Sequence, residues 1–265
     1  MKVLCVGDVV GSPGRRIFKA TIKKLRMEFG IAAVIVNGEN AAGGRGITGA
    51  IAEELFAAGA DVVTLGDHVW DQKETASLLE REKRLLRPAN LPPSCPGRGW
   101  CVIPTDQGEI TVIALLGRTF MNPADCPFAK VDALLTGPIS RTAMVFCDFH
   151  AEATSEKICM GWHLDGRVSA MFGTHTHVQT SDAKVLPNGT GYITDLGMTG
   201  PVNSVIGREV DAVRQKFITG MPSVFTIAKG PAVLEGCIFD IDRTTRKAKS
   251  SHQIRISEEE LVDGG

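Results

Sequence analysis

The chain predicts an α/β fold with more than one β-sheet, on three observations. Apolar runs of strand type alternate with stretches of helical spacing through about the first ninety residues. That rhythm then breaks into two consecutive strands, Gly99 to Ile103 and Ile110 to Leu116, which begin a second sheet. Acidic residues and histidines follow the apolar runs directly, at the strand ends where α/β proteins place their chemistry.

The elements follow in order. Lys2 to Val6 is the first strand and ends at Gly7-Asp8. A helix comes next, with Ser12 expected as its N-cap, Pro13 at its first position, Phe18, Ile22, Leu25 and Phe29 at helical spacing, and Gly30 as its stop. Ala33 to Val36 leads to Gly38-Glu39-Asn40. The glycine-rich segment 41–46 lacks the spacing of a P-loop, although its Arg45 could approach a phosphate. Thr48 caps a helix that buries Ile51, Leu55 and Ala58. Asp61 to Leu65 is a strand entering Gly66-Asp67-His68, and Thr75 to Arg84 is predicted helical before the Pro-rich stretch 87–96. Pro127 to Leu135 is a helix, and Thr142 to Cys147 a strand that delivers Asp148-Phe149-His150. The next helix is expected to be capped by Thr154 or Ser155. Val168 to Phe172 is a strand ended by Gly173, so His175 and His177 fall on the loop that leaves it. Gly191 to Leu196 is a further strand, and Ser223 to Ile256 reads as antiparallel strands with a hairpin tip at 243–246. The acidic tail from Ser257 to Gly265 is expected to be loose.

Composition sets the limits. At 265 residues, 43% hydrophobic and 22% charged, the chain can bury one large core, so a single domain over 1–265 is expected. Lys plus Arg total 29 against 30 Asp plus Glu, which leaves no global field for nucleic acid or acidic membrane. No apolar run approaches the roughly 18 residues of a membrane span, and a strand begins at residue 2 without a leader; a cytoplasmic location is the expectation. Seven cysteines without a C-x-x-C pair, with Cys5, Cys147, Cys159 and Cys237 placed in apolar runs, suit reduced thiols and supply no nucleophile.

Five strand ends thus carry Asp8, Glu39, Asp67 with His68, His150, and His175 with His177. Separate strands would not acquire such residues independently, and imidazole together with carboxylate is a ligand set for transition metals. His163, in mid-helix, and His252, in a C-terminal strand, read as structural. Trp70, Trp100 and Trp162 read as packing residues, although Trp70 lies close enough to His68 to stack on a base.

Taken together, Gly7-Asp8, Gly38-Glu39-Asn40, Gly66-Asp67-His68, Asp148-Phe149-His150 and the 173–177 segment Gly-Thr-His-Thr-His resemble the calcineurin-like metallophosphoesterases. More narrowly, with the segments 6–11, 148–157 and 195–201, they resemble the YmdB-like subfamily, described as 2′,3′-cyclic-nucleotide 2′-phosphodiesterases. The resemblance implies a four-layer α/β/β/α sandwich of two mixed β-sheets flanked by helices, with a dinuclear metal site at the strand ends. It assigns Glu39 as the bridge, Asp8 and His177 to one ion, and Asp67, His150 and His175 to the other. It also makes His68 the general acid and gives the Asn40 amide a phosphoryl oxygen to bind. Two ions about 3.5–4 Å apart would share a bridging hydroxide that attacks phosphorus in line. Fe or Mn are the favoured metals, with Zn or Mg as alternatives. One position departs from the pattern: where the family expects Gly-Asn-His, this chain has Asp67. The implied partner is a small phosphoester such as a cyclic nucleotide, with no membrane and no stable nucleic-acid complex, and homo-oligomerisation stays open. A phosphatase acting on phosphoproteins or sugar phosphates, and a metal-bound regulator with weak turnover, are the two other readings the residues allow.

Overall fold

In the computed structural model, which describes residues 1–139 and 143–262, the elements run β1 (Lys2–Val6), β2 (Asp8–Val9), α1 (Gly11–Phe29), β3 (Ile31–Asn37), α2 (Gly49–Ala58), β4 (Val62–Thr64), α3 (Thr75–Arg81) and β5 (Leu85–Leu86). There follow β6 (Trp100–Thr105), β7 (Gly108–Leu116), α4 (Pro127–Thr136), β8 (Met144–His150), α5 (Thr154–Leu164), β9 (Ala170–Thr174), β10 (Lys184–Val185) and β11 (Gly191–Ile193). The described chain ends with β12 (Met198–Pro201), α6 (Val210–Thr219), β13 (Ala232–Ile241), β14 (Ala248–Ser257) and α7 (Glu258–Val262).

Two mixed sheets result. The first has the order β2-β12-β13-β1-β3-β4-β5, with β14 along the other side of β13; the second has the order β10-β11-β9-β8-β7-β6. Within the first, β1, β3, β4 and β5 are parallel. Within the second, β7, β8, β9 and β11 are parallel, with antiparallel β6 and β10 at the edges. The strands in the middle of each sheet are near-continuous runs of Val, Ile, Phe and Ala because both of their faces are covered.

Alternate residues of one strand enter different apolar layers. Leu4 and Val6 of β1 join Ile17, Phe18 and Ile22 of α1, with Leu55 of α2, on the outer side of the first sheet. Val3 and Cys5 of the same strand face Val112, Phe146 and Phe172 of the second sheet. On that sheet's far side, Ile113, Val145, Cys147 and Met171 pack against Val131 and Leu134 of α4 and Met160 and Leu164 of α5. Period-2 alternation in buried strands therefore builds helix, sheet, sheet and helix layers, the expected four-layer sandwich.

Local signals held where the chain itself completes the bond. Gly30 ends α1 in the left-handed conformation (φ 64°), and the Thr48 side chain accepts from the Ile51 N–H at the start of α2. The Pro-rich stretch is organised by Arg87, buried to 6% exposure, whose guanidinium donates to the carbonyls of Pro88, Cys95 and Pro96.

Several boundaries differ from the expectation. Ser12 does not cap α1: the helix begins at Gly11, after an extended Val10 that makes no side-chain cap bond. The Gly11 N–H instead donates to the Asn40 carbonyl, so the loop after β3 takes the place of a cap. Neither Thr154 nor Ser155 caps α5. Thr154 is already helical, and Glu156 in that first turn accepts from the backbone N–H groups of Arg118 and Thr119. The helix predicted to Arg84 stops at Arg81, because Leu85 and Leu86 pair with Val63 and Thr64. The expected strand at 142–147 starts within the described residues at Met144, and Thr142 lies outside them. Between Ser223 and Ile256 only β13 and β14 are strands; residues 223–231 contribute one bridge, Arg208 to Ile227. The tail is ordered from Ser257 to Val262, where Ser257 and Glu260 exchange hydrogen bonds in a capping box. Helix α6, buried only at Val213, and the short pair β2 and β12 had no signal strong enough to read. The cysteines are unpaired, and Cys159, expected in an apolar run, is exposed. Among the described residues, no helix is long and apolar enough to cross a membrane.

The interface between the sheets is one of the three apolar layers, and Phe239 lies in it. Phe239→Ala, which removes a fully buried ring stacked at 6.2 Å on Phe172, is expected to lower unfolding free energy by about 3–5 kcal/mol. A denaturant midpoint with unchanged slope is the measurement.

Candidate active site

Each polar side chain singled out by the sequence is delivered by a strand end. β1 runs into Asp8, β3 into Glu39 and Asn40, and β4 into Asp67 and His68; β8 finishes on His150, and β9 precedes His175 and His177. The delivering strands are parallel within each sheet, so their carboxyl ends emerge along one edge. Face-to-face packing of the sheets brings the two edges together, and all eight residues converge there.

Two neighbourhoods form. In the first, His150 Nε2 lies 3.0 Å from Glu39 Oε1 and 3.1 Å from Asp67 Oδ1. His175 Nδ1 is 3.0 Å from the same His150 nitrogen and 3.4 Å from Asp67 Oδ1. Ligand atoms from Glu39, Asp67, His150 and His175 all fall within 4.8 Å of one another. In the second, His177 Nε2 lies 3.7 Å from Asp8 Oδ1 and 3.2 Å from Asn40 Oδ1, while its Nδ1 donates to the Ile206 carbonyl at 3.0 Å. Asn40 turns its oxygen toward His177 because its amide nitrogen donates to the Gly44 carbonyl at 3.2 Å. The expected use of that nitrogen on a phosphoryl oxygen therefore does not match its orientation. Gly66 is required beside Glu39: a Cβ there would collide with the His150 ring and the Glu39 carboxylate.

His68 sits at the rim. Its backbone N–H donates to Glu39 Oε2 at 3.2 Å, and its ring Nδ1 meets Asp71 Oδ2 at 3.0 Å. Arg45, read as a phosphate contact, pairs with the same Asp71 oxygen at 3.2 Å. Trp70 is 41% exposed. Of the two remaining histidines, His163 pairs with Asp132 at 2.9 Å, and His252 lies on β14 opposite Ile238, both away from this edge.

The electrostatics describe a pocket made for positive charge. Burial opposes a charge on His150, but Glu39 and the hydrogen bonds to Asp67 and Glu39 outweigh it, and the imidazole pKa is raised. Burial likewise opposes ionisation of Asp67, yet His150 and His175 hold its carboxyl well below the usual carboxylate range. Asp8 Oδ1 is buried and has no hydrogen-bond partner. Two ring nitrogens facing each other among carboxylates, beside an orphaned carboxylate oxygen, fit a cation held by mixed nitrogen and oxygen donors.

Residues to which the sequence reading gave no role complete the setting. His150 Nδ1 lies 2.9 Å from Thr174 Oγ1, and the Thr174 hydroxyl donates to Asp148 Oδ1 at 2.7 Å. With that hydroxyl hydrogen committed, its oxygen accepts from Nδ1–H, so Nε2 is the His150 nitrogen turned to the cluster. Thr64 donates to the other Asp148 oxygen at 2.5 Å. Burial pushes the Asp148 carboxyl up to about 6, against the lowering effect of His150 and the two hydroxyls. A polar residue inside the apolar run Met144 to Phe149 was the available signal for this layer. Glu152, half exposed at the mouth, meets His175 Nε2 at 3.1 Å.

The chain is similar to known proteins along nearly its whole length. A family model described as "YmdB-like protein" matches residues 4–254. The chain is 46% identical over 261 residues to the 2′,3′-cyclic-nucleotide 2′-phosphodiesterase of Bacillus subtilis (strain 168), covering 98% of this chain and 99% of that protein. A hypothetical protein from Thermus thermophilus superposes with TM-score 0.92 at 40% identity, covering 97% of this chain and 100% of the other. A structure described as a novel phosphatase from Mycoplasma pneumoniae gives TM-score 0.91 at 35% identity, covering 97% and 93%.

The hydroxyl of Thr174 joins the His150 ring to Asp148, both buried. Thr174→Val keeps its shape but strands a buried acceptor and a buried donor, with an expected loss of about 1–3 kcal/mol in unfolding free energy. Thr174→Ser should retain most of it, and chemical denaturation of the two variants side by side is the check.

Proposed function

Since the chain belongs to the YmdB-like family, we propose that it is a metal-dependent phosphodiesterase that opens 2′,3′-cyclic nucleotides at the 2′ bond. The observation that carries this reading is the convergence of Asp8, Glu39, Asp67, His150, His175 and His177 from both sheets on one edge. The name of the Bacillus subtilis relative, nearly half identical along its whole length, supports the substrate.

In this reading Asp8 and His177 hold one ion, with the Asn40 carbonyl oxygen turned to the same point. Asp67, His150 and His175 would hold the other, and Glu39 would serve both. Nitrogen and oxygen donors without sulfur favour Mn or Fe, with Zn as an alternative. When bound, the ions supply the charge that activates water and offsets the phosphoryl oxygens. The chain's own residues do the rest. His68, its Nδ1 committed to Asp71, has Nε2 free to give a proton to the departing ribose 2′ oxygen as a water oxygen joins phosphorus and the P–O2′ bond breaks. The product keeps its phosphate on the 3′ oxygen. A ring-strained diester suits a site of this sort because the leaving oxygen stays tethered to the ribose. One domain spanning the chain houses the activity, and the unpaired cysteines suit a reducing compartment.

A substrate panel tests the reading: 2′,3′-cyclic nucleotides, 3′,5′-cyclic nucleotides, p-nitrophenyl esters and a phosphopeptide, each assayed with Mn before and after chelation. Preferential cleavage of the 2′,3′-cyclic compounds to 3′-nucleotides, lost on chelation and restored by Mn, is the expected outcome. Preference for the phosphopeptide would make it a phosphatase, and inertness at full metal content would make it a regulator.

Asp67 brings a third carboxylate where the resemblance expects a neutral amide. A negative charge beside an ion strengthens its binding and lowers its power to withdraw electrons. Asp67→Asn should weaken Mn binding by at least about 10-fold, since even groups outside the ligand set cost about 10–100-fold. Turnover at saturating Mn should rise. Equal metal affinity with no faster turnover would count against the charge argument.

A further inference from the structure

The two histidines of the loop after β9 are held in a backbone conformation that their side chains disfavour: φ is 102° at His175 and 62° at His177. Such strained residues persist only where their surroundings over-determine them. The residue between them, Thr176, donates its backbone N–H to Asp195 Oδ2 at 3.3 Å. That same oxygen accepts from the Lys157 ammonium at 2.5 Å, and both side chains are 1% exposed. Asp195 thus grips the loop at the one position that lies between the two strained histidines.

The grip extends further. The Asp195 backbone N–H donates to Thr180 Oγ1, and its carbonyl accepts from the Thr180 N–H, so the far end of the histidine loop is tied to the same residue. The other carboxylate oxygen, Oδ1, accepts from the Gly197 N–H at 2.8 Å, and the Gly197 carbonyl accepts from the Asp8 N–H at 3.2 Å. Asp8 Oδ2 in turn accepts from the His175 N–H at 3.2 Å. One buried carboxylate therefore connects to both sides of the neighbourhood formed by Asp8 and His177. The Lys157 stem lies across Gly173, where a Cβ would meet its Cδ at 2.9 Å and Cε at 3.0 Å. The helix α5 is thereby locked against the strand that launches the loop.

We propose that Lys157 and Asp195 are positioning residues: a buried ion pair that holds the strained histidine loop and the Asp8 turn in the arrangement that binds metal. The inference rests on the metal-binding reading above. A buried pair is weak as a source of stability, because desolvation of both charges offsets their attraction. Its hydrogen-bond geometry is a different matter. Asp195 offers acceptors to three donors, Lys157 Nζ, Thr176 N–H and Gly197 N–H, and an asparagine cannot. Whichever way an amide is turned, its NH₂ faces either the Gly197 N–H or the Thr176 N–H, and one side of the site is released.

The test compares full-length wild type with Lys157→Met, Asp195→Asn and the double variant. Mn titration calorimetry on each metal-stripped chain is read beside its metal-free thermal midpoint and the exchange rate of the Thr176 amide hydrogen. The charge-neutral double variant is expected to melt near wild type, to exchange the Thr176 amide faster, and to bind Mn about 10–100-fold more weakly, as other supports of metal ligands do. A folded double variant whose Mn affinity stays within about twofold of wild type overturns the proposal. A double variant that does not fold overturns it as well, by making the pair a folding element. Absence of Mn binding by the wild type would instead remove the metal reading itself.

Discussion

The structure depends on concentrating negative charge at a buried edge. Asp8 and Glu39 are almost fully buried, and Asp67 is largely so, all within reach of the imidazoles of His150, His175 and His177. Isolated carboxylates in such a place would be costly. They are tolerated because histidines from the second sheet meet carboxylates from the first, so neither sheet has a charge-balanced site alone. The raised pKa of His150 and the depressed one of Asp67 are two sides of this balance. A pocket in which buried carboxylates favour positive charge is suited to hold a cation.

That constraint accounts for features that would otherwise be unrelated. The sheets must pack closely for Glu39 to reach His150, and the apolar layer of Val3, Cys5, Ile35, Phe146, Phe172 and Phe239 supplies the contact. The site sits at one end of this layer. Immediately below, the network of Asn37, Thr64, Asp148 and Thr174 is a polar layer between the sheets that fixes the His150 ring from beneath. Rigid strands carry the groups below, while the loops above them carry His68, His175 and His177, whose conformations depend on backbone bonds to Glu39, Asp8 and Asp195. Precision in the loops is thus borrowed from the sheets.

The candidate site was legible to the extent that strand ends are legible. Lys2 to Val6, Ala33 to Val36 and Asp61 to Leu65 announce themselves as apolar runs, and the Gly-acid pairs after them mark where the chain leaves the sheet. The pairing of those ends was not legible. His150 and Asp67 are 83 positions apart and come within 3.1 Å only through packing of one sheet on the other. Helix caps misled because Ser12, Thr154 and Ser155 satisfy a local pattern, whereas the Gly11 N–H at the start of α1 donates to the distant Asn40 backbone carbonyl and α5 begins at Thr154 without a side-chain cap. The positive φ angles of His175 and His177 left no trace, since neither residue type nor neighbours demand them.

The sequence by itself determined which residues could do chemistry and that they would stand at strand ends, because apolar period and glycine punctuation act over a few neighbouring residues. Only the tertiary structure decided which nitrogen faces which oxygen, that Asn40 presents its carbonyl rather than its amide, and that Asp195 and Lys157 brace the histidine loop. Those outcomes are set by bonds between groups far apart in the chain, and such bonds form only once two sheets and the helix α5 have packed into register.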